Sequence, residues 1–549
     1  MNTSMPLKPP DPFVFAPSQS WDGNDGKWSS FIIRVGSPPQ TFRVLPSTTM
    51  NEIWVPDPEG CQAPNDPPDC GQQRGVFDFQ GQASSGFQNT MSSTFDLIGL
   101  YDLVPENKLP NYSGNGIYGF DTVGLQVQNS GGLELDNQIV TGIATKDFYL
   151  GILGLGPKPL NFSGFDHPQP SFMTNLRDHN MIPSVSYGYT AGQVYMIGTP
   201  KLFGSLTLGG FDKSRIASSS RNSTQFQFSA DDSRVLSPKI QSISATDTLK
   251  GAVTLMSTPL VAVIDSTVPH IWLPRPVCDE FEQAFGLIYD TRTDLYLVNS
   301  SVHEALQERN PTIVFGLGID DDPSSMARVS FPYEAFDLEA SYPIYTNSSQ
   351  RYFPIRRAVN ESEYTLGRTF LQEAYVTVDY ERKKFSVDQA LYQPEMPQQE
   401  IVAILPPSDA DASTPAPSPS LLIQTRGNGL GKGTIAGIAV ASAVTFILAC
   451  ILFLLWWRRR KRILEARNRR PASSSSQFGK TIYGLYELQQ QVAEVSSEKM
   501  DAELHSNALY LVSDDAVIHE LDAQSLGVRP TSLKVGEDGT VRFGPTSSI

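Results

Sequence analysis

Asp265 stands seven residues before Trp272 in IDSTVPHIWLP (Ile264–Pro274), and Ser47 stands seven residues before Trp54 in PSTTMNEIWVP (Pro46–Pro56). Aligned without a gap, Thr49, Ile53, Trp54 and Pro56 meet Thr267, Ile271, Trp272 and Pro274. A carboxylate at the tip of each such loop would make a pair. Two carboxyls about 3 Å apart cannot both ionise, so they share a proton. One then serves as general base on a water and the other as general acid toward a carbonyl, the chemistry of peptide hydrolysis at acid pH. Here the pair is half absent, because Ser47 carries a hydroxyl, far too weak an acid to replace a carboxyl. A shift of register does not restore it. Glu52 is the one acidic residue between Asp25 and Asp57, and it lies two residues before Trp54.

The elements that must position these tips are strands. FIIRVGSPPQTFRVL alternates with period two around a turn at Gly36–Gln40, and SLTLGGFD and AYVTVDYERKKFSVD read as strands with turns. The 42 Gly and 41 Pro suit many turns. The class is all-β, and the repeat implies two related lobes. A second matched pair supports this: GILGLG places Gly154 after Ile152-Leu153, and YTLGRTFL places Gly367 after Thr365-Leu366.

Over residues 12–392 the chain resembles the pepsin-like aspartic peptidases. GSPPQTFRV, IWVP, FDTVGL (Phe120–Leu125), GILGLG, GSLTLGGFD (Gly204–Asp212), IDST (Ile264–Thr267) and LGRTFLQEAYVTVD occur in the family's order. It looks like a fungal, membrane-anchored member. The resemblance implies a bilobal fold and an Asp-Thr/Ser-Gly motif in each lobe. Carried over, the first motif is Ser47-Thr48-Thr49 and the second Asp265-Ser266-Thr267. The middle hydroxyls, Thr48 and Ser266, would tie the loops together. Both glycines, which let backbone and water approach closely, are threonines. Counting back from Gly116 puts Leu109 where the family has a flap tyrosine, with Tyr112 three residues later. Asp265 is therefore expected to be a loop carboxylate held by Ser266, Thr48 or backbone N–H groups, and Trp54 and Trp272 to pack beside the loops.

The rest of the chain gives the setting. The 24 residues Thr434–Trp457 carry no charge, are long enough to span a bilayer, and run into RRRKR at Arg458–Arg462. The expected order is an N-terminal segment 1–11, lobes 12–205 and 206–392, a Pro/Ser-rich stalk 393–433, a membrane span 434–457 and a cytoplasmic, mostly disordered tail 458–549 with one helix near Tyr483–Val495. The body would then face outward at the plasma membrane or in the secretory pathway. Met1–Gly36 lacks a basic start followed by an apolar stretch, so a signal peptide upstream of Met1 is expected. Asn2, Asn111, Asn161, Asn222, Asn299, Asn347 and Asn360 open N-x-S/T triplets and are expected glycosylation acceptors. Gly433, Gly437 and Ala441 are spaced for a helix–helix contact.

Cys61 and Cys70 can close a small loop, worth about 2–3 kcal/mol, and Cys278 reads as a buried apolar thiol. Residues 1–457 hold 29 Lys+Arg against 46 Asp+Glu. An acidic body repels phosphate and excludes nucleic acid as a partner. Six scattered histidines lack ligand spacing, and neither a metal nor a cofactor is implied. The reading is a catalytically inactive aspartic-peptidase-like membrane protein. Its cleft would bind a peptide or surface ligand, and its basic stretch at the membrane would touch lipid. The alternatives are an active acid endopeptidase and a structural surface glycoprotein.

Overall fold

The computed structural model describes residues 9–105, 107–110, 112–162, 168–195, 202–218, 224–319 and 326–407. The alternating stretch FIIRVGSPPQTFRVL folds as a hairpin of Trp28–Val35 and Gln40–Ser47, with Phe31 opposite Val44 and Val35 opposite Gln40. Its apolar set (Phe31, Ile33, Val35, Phe42 and Val44) is fully buried. The hairpin belongs to an eight-stranded sheet, which closes on itself because Trp28–Val35 also pairs with Asn115–Leu125.

The two lobes repeat one local construction. In the first, Gln40–Ser47 pairs in parallel with Gly151–Gly154, and Ile53–Pro56 pairs with that strand antiparallel and with Glu134–Ile143 in parallel. In the second, Val263–Ile264 pairs in parallel with Thr365–Leu366, and Ile271–Pro274 pairs with it antiparallel and with Ile355–Ala358 in parallel. The matched glycines have a steric reason. A Cβ on Gly154 would come within 2.7 Å of the Glu52 and Met50 carbonyl oxygens. One on Gly367 would lie 2.3 Å from the His270 carbonyl oxygen. The loops that carry Ser47 and Asp265 therefore pass directly over glycine backbone.

A six-stranded sheet joins the lobes. Ser186–Gln193 pairs with Ala374–Asp379, with Tyr187 opposite Val378 and Tyr189 opposite Val376. Strand Leu202–Leu208 runs through the 205/206 position, so the chain completes this first-lobe strand before it passes to the second lobe. Nor does the chain leave the body at once after 392. Ile401–Ala403 pairs with Gly210–Asp212, and Lys213 bridges Glu400 at 2.8 Å.

Helix Arg275–Phe285 has a proline in its first turn and Gly286 in the left-handed conformation at its end, φ 65°. It buries Val277, Cys278, Phe281, Ala284 and Phe285, a one-sided helical spacing. Burial pushes the free Cys278 thiol up to about 12, an inert packing group. Cys61 and Cys70 form a disulfide. Among the described residues no helix is long and apolar enough to cross a membrane, and Thr434–Trp457 lies outside them, as does the tail. Asn161, Asn299, Asn347 and Asn360 are exposed, whereas Asn2, Asn111 and Asn222 lie outside the described residues.

Candidate functional site

The two loop tips meet at the junction of the lobes, and hydrogen bonds tie them reciprocally. The Thr48 N–H donates to Ser266 Oγ and the Ser266 N–H to Thr48 Oγ1, both at 3.0 Å. Each hydroxyl then donates onward across the junction, Thr48 to the Ile264 carbonyl at 2.9 Å and Ser266 to the Pro46 carbonyl at 2.7 Å. All four groups are buried, so each bond satisfies a polar atom that water cannot reach. These middle hydroxyls serve each other's backbone and leave Asp265 to other donors.

Asp265 is 2% exposed. Its Oδ1 accepts from the Thr267 N–H at 2.9 Å and from Thr49 Oγ1 at 2.7 Å. Its Oδ2 accepts from Asn107 Nδ2 at 3.1 Å. The expectation of backbone N–H partners holds, but the side-chain donors are Thr49 and Asn107 in place of Ser266 and Thr48. Ser47 Oγ accepts from the Met50 N–H at 2.9 Å and shares a 2.6 Å hydrogen bond with Thr267 Oγ1. The two threonine hydroxyls are 3.3 Å apart. A continuous chain of side-chain contacts thus joins Ser47 to Asp265 through Thr267 and Thr49. The threonines that replace glycine fill the centre of the junction with hydroxyls and methyl groups.

A family description, eukaryotic aspartyl protease, matches residues 30–390. The chain belongs to that family. It is 24% identical over 388 residues to Aspartic proteinase 3 of Saccharomyces cerevisiae, covering 66% of this chain and 58% of the yeast protein. It is 23% identical over 376 residues to Secreted aspartic protease 5 of Candida albicans, covering 68% of this chain and 78% of that relative.

In this aspartyl protease fold the hairpin between Asp96–Asp102 and Asn115–Leu125 lies over the junction. Sequence counting placed Leu109 at its tip without showing what the tip touches. Leu109 is 6% exposed and sits in an apolar box of Val268, Trp272 and Ala358 from the second lobe. Tyr112 lies beside His270, its hydroxyl 3.4 Å from Nδ1. Burial raises the Tyr112 hydroxyl to about 12 and, helped by Arg356 and Arg368, drives His270 well below its usual value, so both stay neutral. Trp54 is core, edge-on to Phe148 at 4.9 Å. Trp272 packs against the hairpin on one side, with the Arg356 guanidinium 5.3 Å from its ring.

Two residues that sequence reading missed complete the site. Asn107 gives its second N–H to Thr365 Oγ1 at 3.0 Å, and its carbonyl accepts from Arg234 at 2.9 Å. Arg234 also donates to the Tyr364 carbonyl at 2.6 Å and to that of Ser362. Other contacts bridge the lobes as well, and one of them starts from the Asp265 loop, whose Ser266 and Thr267 carbonyls accept from Arg368. The Ser341 N–H donates to the Asn24 carbonyl at 2.7 Å, Tyr342 donates to Asp66, and Arg368 pairs with Asp25 at 2.9 Å while covering the Trp28 ring. Beside Tyr112 and Thr267 lies a cavity of about 20 Å³, room for about one water; larger ones, of about 820 Å³ beside Arg234 and Tyr364 and about 410 Å³ beside Glu52 and Tyr118, flank the site.

Proposed function

We propose that this aspartyl-protease-like domain does not hydrolyse peptides and acts as a binding module at a membrane surface. One observation carries the reading: where an acid–base pair needs its second carboxyl, Ser47 is hydrogen-bonded to Thr267, in a chain of hydroxyls that ends on Asp265. A lone carboxylate with three donors has no acid partner with which to share a proton or split a water. The yeast and Candida relatives are named as proteases; their activity is not carried over to a junction built this way. The 24-residue apolar run Thr434–Trp457 supports a single span with the domain outside and the basic stretch Arg458–Arg462 against anionic lipid in the cytoplasm. The four exposed acceptor asparagines suit an outward body.

A second reading, a purely structural surface glycoprotein, is favoured by the contacts that the hairpin tip and the Ser341–Tyr342 segment make from one lobe to the other. Proteolysis of a mixed peptide library from about pH 3 to about pH 7 tests the absence of hydrolysis, with Ser47→Asp/Thr49→Gly/Thr267→Gly as a repaired control. The natural protein is expected to be silent. Cleavage by it that disappears in Asp265→Asn would overturn the reading and restore the acid endopeptidase.

A further inference from the structure

The hairpin tip offers the cleft a carboxamide, a branched apolar side chain and a phenol in order. Asn107 and Leu109 are buried while Lys108 and Pro110 are exposed. The Leu109 N–H closes a tight turn on the Asn107 carbonyl at 3.1 Å. Both N–H groups and the carbonyl of the Asn107 amide are used, and every partner (Asp265, Thr365 and Arg234) belongs to the second lobe. Leu109 fills the apolar box, and Tyr112 reaches His270. Such complete saturation, by groups 127 to 258 residues away in the chain, is how a bound ligand is held.

We infer that the Asn107 and Leu109 side chains, with that of Tyr112, are a ligand built into the chain, and that the wall they cover is a receptor for peptides carrying a carboxamide and, two residues on, a branched apolar side chain. This inference rests on the binding reading above and gives it a ligand class and a control. Asp265 has become the acceptor that recognises the carboxamide. Arg234 holds the latch shut, because its guanidinium ties Asn107 to the Ser362 and Tyr364 carbonyls. A tethered ligand competes at an effective concentration of about millimolar for a short linker. A free peptide therefore binds weakly until the latch opens.

The test uses the full chain and a labelled peptide of its own residues 103–114. The peptide is expected to bind the variant Asn107→Ala/Leu109→Ser at least about tenfold more tightly than the natural protein. A peptide with the same two substitutions should bind neither. Equal binding of both peptides to the variant, or no binding to a variant whose melt shows it folded, overturns the inference. Should that variant fail to fold, Arg234→Gln, which leaves both anchor side chains in place, decides. Hydrogen exchange across 103–114 should rise at least about tenfold relative to the central sheet, and unchanged exchange overturns the latch. Cleavage of the added peptide would count against the absence of hydrolysis and leave the latch standing, whereas silence with indiscriminate binding would do the reverse.

Discussion

The tips of the two loops do the same structural work with different chemistry. Asp265 accepts the N–H of the residue two places on, Thr267, at 2.9 Å, and takes the hydroxyl of Thr49 from the other loop. Ser47 accepts the N–H of Thr49 at 3.4 Å and meets the hydroxyl of Thr267 from the other loop. The serine thus fills the aspartate's place as an acceptor while bringing no charge. The outer bonds are asymmetric in length and charge, whereas the inner pair, Thr48 and Ser266, is symmetric to the ångström. Joining two β lobes needs the inner hydroxyls and the backbone over Gly154 and Gly367. A second carboxylate is needed only for proton transfer, so it can be absent without loosening the joint.

The largest expected effect comes from breaking the symmetric part. Thr48→Val would leave the buried Ser266 N–H and Ile264 carbonyl without partners, and Ser266→Ala would do the same to the Thr48 N–H and Pro46 carbonyl. Each should cost about 2–4 kcal/mol in denaturant unfolding, from two orphaned groups apiece. If the halves are equivalent, the two costs agree to about 1 kcal/mol. The double variant should cost less than the sum, since the groups form one network.

A smaller effect should follow from restoring charge to the asymmetric part. Ser47→Asp alone places a second carboxyl on the hydroxyl chain to Asp265, with both threonines still in the way. Two carboxyls so joined repel, and the folded state then favours one of them protonated. The pair's raised value means that stability is full at low pH and falls as pH rises toward neutral. A loss of about 1–3 kcal/mol at pH 7, largely absent near pH 4, would show the junction tolerating the side chain but not its charge. A loss of equal size at both pH values would mean that crowding, not charge, bars the second carboxylate.

How much of this could be read from the chain follows from the range of the contacts. Ser47, Asp265 and the inner hydroxyls were legible because each lies at a fixed offset from IWVP or IWLP, and strand pairing turns a sequence repeat into a spatial one. The disulfide was legible because Cys61 and Cys70 are nine residues apart in a turn-rich stretch. Asn107 and Arg234 were not, since neither lies in a repeated motif, and 127 residues separate them. The tip of the hairpin could be counted to Leu109, yet its filling of the box around Trp272 depends on the lobes being closed, which no local pattern encodes. The same long-range closure gave Asp265 donors other than the nearest hydroxyls.

The smallest effect expected sets the uncharged Thr48–Ser266 pair against a charged contact between the lobes at the disulfide loop. There Asp66, in the disulfide loop, accepts from Tyr342 of the second lobe and pairs with Lys146 at 2.8 Å. Partial burial alone would raise the Asp66 carboxyl, but bonds from Lys146, Tyr342 and the Gln62 N–H outweigh this and hold it at about 2. A lowered folded-state value means the contact stabilises above the unfolded value, about 4, and is lost as pH falls from there toward about 2. Tyr342→Phe should therefore cost about 0.5–1 kcal/mol at neutral pH, modest because the loop is partly in solvent, and close to nothing near pH 2. Thr48→Val should cost the same at both. Melts of the two variants across that range separate the joints. A pH-independent cost for Tyr342→Phe would mean that something other than the hydroxyl's bond to a carboxylate carries this contact between the lobes.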